Sequence, residues 1–246
     1  MKSLLGEKLR FDWKIVAITI VSTLLLMVAI PSPKFAGARR APIYGGVSLL
    51  KTTIYGGLNV QFQNWRRYWV DHYHKLTAYY YWDRVILYLV VPLVVIIFLF
   101  RENPNEFGFT LGDWKAGLLI TALGILLMAP IIYYLGHDNA SMKKYYEGYT
   151  TGLPWTTFLD LIGWEFMFRG WILFAYARKF GPEALWLQAV PFAIAHIGKP
   201  EVETLSTIFG GFAFGWVAYR TKSFIYPFLI HWFIATFIIV VAAGLI

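Results

Sequence analysis

The sequence predicts an all-α fold, a polytopic membrane protein, and three observations carry that reading. Of 246 residues, 58% are hydrophobic and only 15% charged, more apolar surface than one soluble domain can hide. The apolar residues come in runs near the ~20 needed to cross the hydrocarbon core of a bilayer. Many Trp residues stand near the ends of these runs, among them Trp13, Trp82, Trp114 and Trp155, where amphipathic rings sit at the headgroup level. The net charge of +8 is spread over loops and termini. That pattern fits attraction to an anionic lipid bilayer, and without a clustered basic domain it argues against a nucleic-acid partner. The chain has no Cys, which excludes disulfides, thiolate metal sites and a Cys nucleophile.

The elements follow in order as about seven transmembrane helices. Ile15 to Ile30 forms the first; Lys8, Arg10 and Lys14 precede it, and with no small-residue cleavage site after it the segment reads as a retained anchor. Pro31 to Asp83 is irregular: its prolines and paired glycines suggest a loop, and the aromatic and basic mixture from Asn59 to Tyr81 an interfacial helix lying on the membrane. Val85 to Phe100 is the second span, Asn103 to Lys115 a polar connector, and Ala116 to Gly136 the third span. A loop holding Lys143, Lys144 and Glu147 leads to the fourth, Leu153 to Ala177. The fifth runs from Glu183 to Ile197, the sixth from Val202 to Tyr219 and the seventh from Ser223 to Ile246. No internal repeat divides the chain, so residues 1–246 read as one membrane domain, with 1–152 holding the N-terminal spans and interfacial region and 153–246 the remainder. With the N-terminus inside, Arg101/Lys115, Arg178/Lys179 and Arg220/Lys222 also fall inside, as the positive-inside rule prefers; the basic stretch from Pro31 to Asp83 then falls outside, against it.

Ionisable residues in apolar runs are costly unless paired or functional. Glu165 and Arg169 stand four apart, the spacing of an intrahelical ion pair. His196 ends the fifth apolar run and His231 lies in the seventh. Each alone is compatible with a structural role. Together they supply one carboxylate and two imidazoles from three segments, in a chain with five His. Such a trio suits a catalytic site in which Glu165, His196 and His231 hold a divalent metal, zinc first, with an open position for water. It equally suits a metal-free site in which Glu activates water and His residues stabilise an oxyanion. Glu203 opens the sixth span after the helix-breaking Gly198 and Pro200; it is either a second site carboxylate or an acid favoured by the helix dipole.

Weaker signals are read structurally. Asp71-His72-Tyr73-His74 is a solvated face sooner than a metal site. Gly211 and Gly215 have the spacing that lets helices pack closely, within this bundle rather than in a dimer, and Pro92 and Pro227 mark kinks. No HExxH, GxSxG, P-loop or GxGxxG pattern occurs, which removes the sequence support for soluble zincin, α/β-hydrolase, NTPase and dinucleotide-binding readings.

Glu165-x-x-x-Arg169-Gly170, Phe192-x-x-x-His196 and His231, in that order, resemble the three motifs of the CPBP intramembrane proteases, the group named for CAAX prenyl-protein and bacteriocin processing and also called Abi. The resemblance covers roughly Leu153 to the C-terminus, with support from Asn103 to Gly108 and from Gly112-Asp113-Trp114. It implies a catalytic core at 153–246 and a polar cavity in which a Glu-activated water, with or without a metal, cleaves a membrane-associated protein or peptide. It further implies that Arg169 orients Glu165. Two positions depart from the pattern: Trp164 stands where the family usually has the first of two glutamates, the one assigned as base, and Ala235 where it has Asn or Asp. The run from His196 to Glu203 resembles a branch with a single motif-one Glu, in which Glu203 supplies the second carboxylate. A catalytically inactive relative that binds peptides, confers immunity or scaffolds a partner is one alternative, and a proton-coupled transporter another. A bacterial inner membrane is the expected location, with endoplasmic reticulum second.

Overall fold

The computed structural model describes residues 11–28 and 82–246. The expected interfacial helix, Asp71-His72-Tyr73-His74 and the end of the first span lie outside the described residues. Those described are helical, with no strand among them. We number the helices α1 (Trp13–Val28), α2 (82–100), α3 (Trp114–Asp138), α4 (Ala140–Tyr146), α5 (155–180), α6 (Ala184–Ile194), α7 (Glu201–Thr221) and α8 (Ile225–Ala242). Two of these are composite. In α2 the wide π turns Ile86–Val90 and Val95–Phe100 flank Val91–Val94, so the interruption expected at Pro92 takes the form of altered winding on both sides. In α5 the α-helical Trp155–Glu165 passes into the π segment Phe166–Ile172 and returns to α at Leu173–Phe180.

Helix α5 is the axis of the bundle. Every residue from Gly163 to Ala175 is buried, the mark of a helix surrounded on all sides. Helix α2 reaches it through Gly163, where an added Cβ would lie 2.0 Å from the Arg84 carbonyl oxygen. Helix α1 fixes it through Ser22, whose Oγ accepts from the Trp171 indole at 2.9 Å. Helix α8 runs antiparallel to it, with Thr157 and Thr236 hydroxyls 2.7 Å apart. Helices α6 and α7 form a hairpin whose close approach uses Gly211 and Gly215; the Gln188 amide between them donates to the Gly211 carbonyl at 2.7 Å. These glycines therefore pack inside the bundle, as their spacing suggests.

Helix α3 packs along the stripe Gly117, Gly124 and Gly136 against Tyr226, Ile230 and Val241 of α8. Its other side leaves Leu118, Leu119, Leu123, Leu126 and Leu127 between 52% and 72% exposed, a patch that water would not tolerate and lipid would. By length and composition α3 and α8 can cross a membrane, and Trp13–Leu26 and Ile86–Phe100 are shorter apolar helices. The seven-span expectation is not reached on that measure. Its fifth span contracts to α6, 11 residues or about 16 Å of helix, roughly half the hydrocarbon thickness. Pro227 is also corrected: it occupies the first turn of α8, where a missing N–H costs no hydrogen bond, and it marks no kink. The loop holding Lys143 and Lys144 is partly helical as α4, capped by Asn139, whose Oδ1 accepts from the Met142 N–H at 3.0 Å.

Among the described residues the two ends of the bundle differ in charge. At one end Glu102 accepts from Lys14 and, at 2.7 Å, from Arg178, while Asp113 accepts from Arg220 at 2.9 Å. This end holds Lys14, Arg101, Lys115, Arg178, Lys179, Arg220 and Lys222, the residues that the charge rule groups on one side. Among the described residues the other end holds Arg84, Lys143, Lys144 and Lys199 with as many acidic residues or more.

Candidate active site

Glu165 stands at the point where α5 changes from α to π winding. Glu165 and Arg169 are fully buried, and the Arg169 Nη1 donates to Glu165 Oε1 at 3.2 Å. From α8, His231 places its Nδ1 2.6 Å from the same oxygen. A carboxylate only accepts, so Nδ1 carries the proton. Glu165 Oε1 thus takes two donors, while Oε2 is buried with no hydrogen-bond partner. Arg169 Nε and Nη2 and the Trp164 indole N–H are buried and unpartnered as well. The open atoms of Glu165 and Arg169 give a small polar centre inside an apolar bundle, where an unsatisfied group costs about 1–3 kcal/mol unless water or a ligand meets it.

His196 lies just past the end of α6 and is 3% exposed. Its Nδ1 donates to the Phe192 carbonyl at 2.7 Å, which leaves Nε2 as the open nitrogen of the neutral ring. What gathers the site is the Phe192 ring. The Arg169 guanidinium lies 3.9 Å from its centroid, the His196 ring 4.4 Å and the His231 ring 6.2 Å. Phe214 adds a second aromatic face, 5.2 Å from His231 and 5.3 Å from Arg169. Electron-rich ring faces compensate part of the lost hydration of a buried guanidinium. Phe192 belongs to the Phe192-x-x-x-His196 spacing, but a Phe in an apolar run gives no sequence signal that it supports a cation.

Glu203 is placed apart from this centre. Its carboxylate takes the Lys199 ammonium at 2.5 Å and the Tyr146 hydroxyl at 2.5 Å, and its side chain is 17% exposed. Arg169, His196 and His231 are thus brought around one ring, Glu165 is bonded to the first and last of them, and Glu203 belongs to a second polar group beside the His196 turn. Trp164 fills the space between the Arg84 guanidinium, 4.6 Å from its ring, and the His196 ring, 5.6 Å away. An indole has no atom that accepts a proton at neutral pH. Ala235 on α8 contributes no polar atom, and it packs against the central apolar core.

Among the described residues no group of three or more His, Cys, Asp and Glu is arranged to hold a metal ion. Glu165 and His231 are bonded to each other, and Arg169 lies beside the same carboxylate oxygen.

Residues 148–237 match the family model of the type II CAAX prenyl endopeptidase Rce1-like proteins. This stretch contains Glu165, Arg169, His196, Glu203 and His231, along with Trp164 and Ala235, and it agrees with the CPBP resemblance. No curated protein and no solved structure matches the chain.

Proposed function

We propose that this Rce1-like segment makes the chain an intramembrane endopeptidase, cleaving a peptide bond of a membrane-associated protein or peptide with Glu165 as the base. One observation carries the reading: Glu165 Oε1 is fixed by His231 and Arg169 while Oε2 stays buried and open. In the reaction Oε2 takes a proton from a water molecule. The water oxygen bonds to the peptide carbonyl carbon, the C–N bond breaks, and the proton passes to the leaving amine. Fixed donors around the reacting carbonyl lower the barrier by meeting charge as it develops. The open N–H groups of Arg169 are the donors available for it, while the Nε2 atoms of His196 and His231, whose rings carry their proton on Nδ1, are acceptors. Arg169 and His231 hold the carboxylate in one rotamer. The basic end of the bundle sits inside, which sets the N-terminus inside, in a seven-span arrangement with α5 to α8 as the core and a bacterial inner membrane as its location.

The test is cleavage of lipid-anchored peptides, prenylated ones included, by the full chain in lipid nanodiscs. Glu165→Gln is expected to lower the rate about 10²-fold or more. A Glu165→Gln enzyme that keeps the wild-type rate overturns the assignment of the base, and a wild type that releases no product from any such peptide overturns proteolysis. The divalent-metal reading, zinc first, is decided by metal analysis of the wild type beside Glu165→Ala, His196→Ala and His231→Ala. Stoichiometric metal lost from all three variants supports it, and metal unchanged by the substitutions removes it.

A further inference from the structure

The turn that carries His196 is built from residues that the reaction does not use. Past the end of α6 the chain reverses through Gly198, whose φ of 101° favours glycine, into α7 at Glu201. The His196 carbonyl is held twice from the far side of this turn, by the Lys199 N–H at 3.1 Å and the Thr204 hydroxyl at 3.0 Å. The Thr204 hydroxyl also reaches the Lys199 carbonyl at 3.2 Å. Lys199 is fixed in turn by Glu203, and Glu203 is fixed by Tyr146. Tyr146 arrives from a different part of the fold. It ends α4, whose first turn is capped by Asn139 and whose Met142 is buried against the α3 and α8 core, and Tyr145 and Tyr149 pack on its ring at 4.8 and 6.3 Å. A rigid aromatic element thus holds one carboxylate, and that carboxylate holds the turn.

We propose that Tyr146 and Glu203 are positioning residues, a latch from α4 that sets the place of His196 through the turn from 196 to 204. The proposal rests on the reading of His196 as part of a proteolytic site. Glu203 accordingly acts on His196 rather than on substrate, which accounts for an acidic residue in the motif run that does not reach the Glu165 centre. Lys199 balances the carboxylate charge, and the Tyr146 hydroxyl fills its other oxygen, so both acceptor atoms are met.

The test uses the full chain in detergent with isotope-labelled histidine, each variant checked for folding by thermal unfolding. Tyr146→Phe and Glu203→Gln are expected to shift the His196 ring-nitrogen resonances and to leave those of His231 in place. On a cleaved peptide they lower kcat on the order of tenfold or more with KM unchanged, and the double variant falls no further than either single one. Glu201→Gln, exposed in the same first turn, moves neither readout. His196 resonances that stay in place in both variants overturn the proposal. If Glu203→Gln does not fold, Tyr146→Phe, which deletes one hydroxyl, decides by the same readout. A wild type that cleaves nothing, with His196 resonances that still move, leaves the latch standing and removes the proteolytic reading.

Discussion

In the centre of the bundle Arg169 and His231 both meet the Glu165 carboxylate. Removing one partner of a buried ion pair leaves the other uncompensated, at a cost of about 3–5 kcal/mol. Arg169→Ala is therefore expected to lower the thermal unfolding midpoint markedly in detergent, and Glu165→Gln less, since an amide still accepts from Arg169 and His231. If the two variants unfold together at the wild-type midpoint, the pair does not hold the core. The i, i+4 spacing made this pair legible in the sequence, whereas the Lys199 and Glu203 pair at the same spacing was not anticipated, because Glu203 reads from the sequence as a second site carboxylate or as an acid favoured by the helix dipole. The His231 to Glu165 bond was legible only as a conjunction of residue types. No periodicity says which ring nitrogen, or which carboxylate oxygen, faces which.

Helix contacts depend on glycines whose meaning differs by position. At Gly163 a methyl group would strike the Arg84 carbonyl, whereas at Gly210 it would meet nothing within 4 Å. Gly163→Ala is expected to lower stability by about 1–3 kcal/mol or more and to displace α2 from the segment that carries Trp164 and Glu165. Gly210→Ala, on an open face of α7, leaves stability unchanged or raises it slightly through helix propensity. Thermal unfolding of both variants checks the contrast, and equal losses at the two sites would show that α2 does not seat at Gly163. The helices were legible from their apolar runs, the Gly211 and Gly215 contact from its spacing. The shortness of α6 was not, since Ala195, His196 and Ile197 continue the apolar run after the helix has ended at Ile194. The π winding of α2 and α5 leaves no trace in composition.

Across the whole molecule, Glu102 ties α1, α2 and α5 together at the basic end. Burial alone would raise its pKa, but the hydrogen bonds and charges of Lys14 and Arg178 outweigh it and hold the carboxyl below its ordinary value of 4.5. A carboxyl whose folded pKa is depressed stabilises the fold above the unfolded pKa and loses that contribution as pH falls through the folded one. Stability is thus expected to decline as pH drops below about 4.5, the ordinary carboxyl range, and Glu102→Gln to flatten part of that decline. An acid limb identical in the variant and the wild type would show that these bonds do not form in the membrane. The grouping of basic residues at this end was legible from the charge pattern alone. The carboxylates that knit them together were not, because Glu102 and Asp113 lie in the polar connector that reads as solvated loop.

The π segment in α5 sets the phase of the helix on either side of it. Each residue of an α-helix advances the winding by about 100°, so shortening Phe166–Ile172 by one residue, to restore regular winding, would rotate everything beyond it by that angle relative to Glu165. Trp171 would turn away from Ser22 and Arg178 away from Glu102. The irregular turn therefore acts as a phase-setting insertion, letting one helix present its carboxylate to α8 and its far end to α1 and α2. A redesign that idealised α5 would have to choose between them.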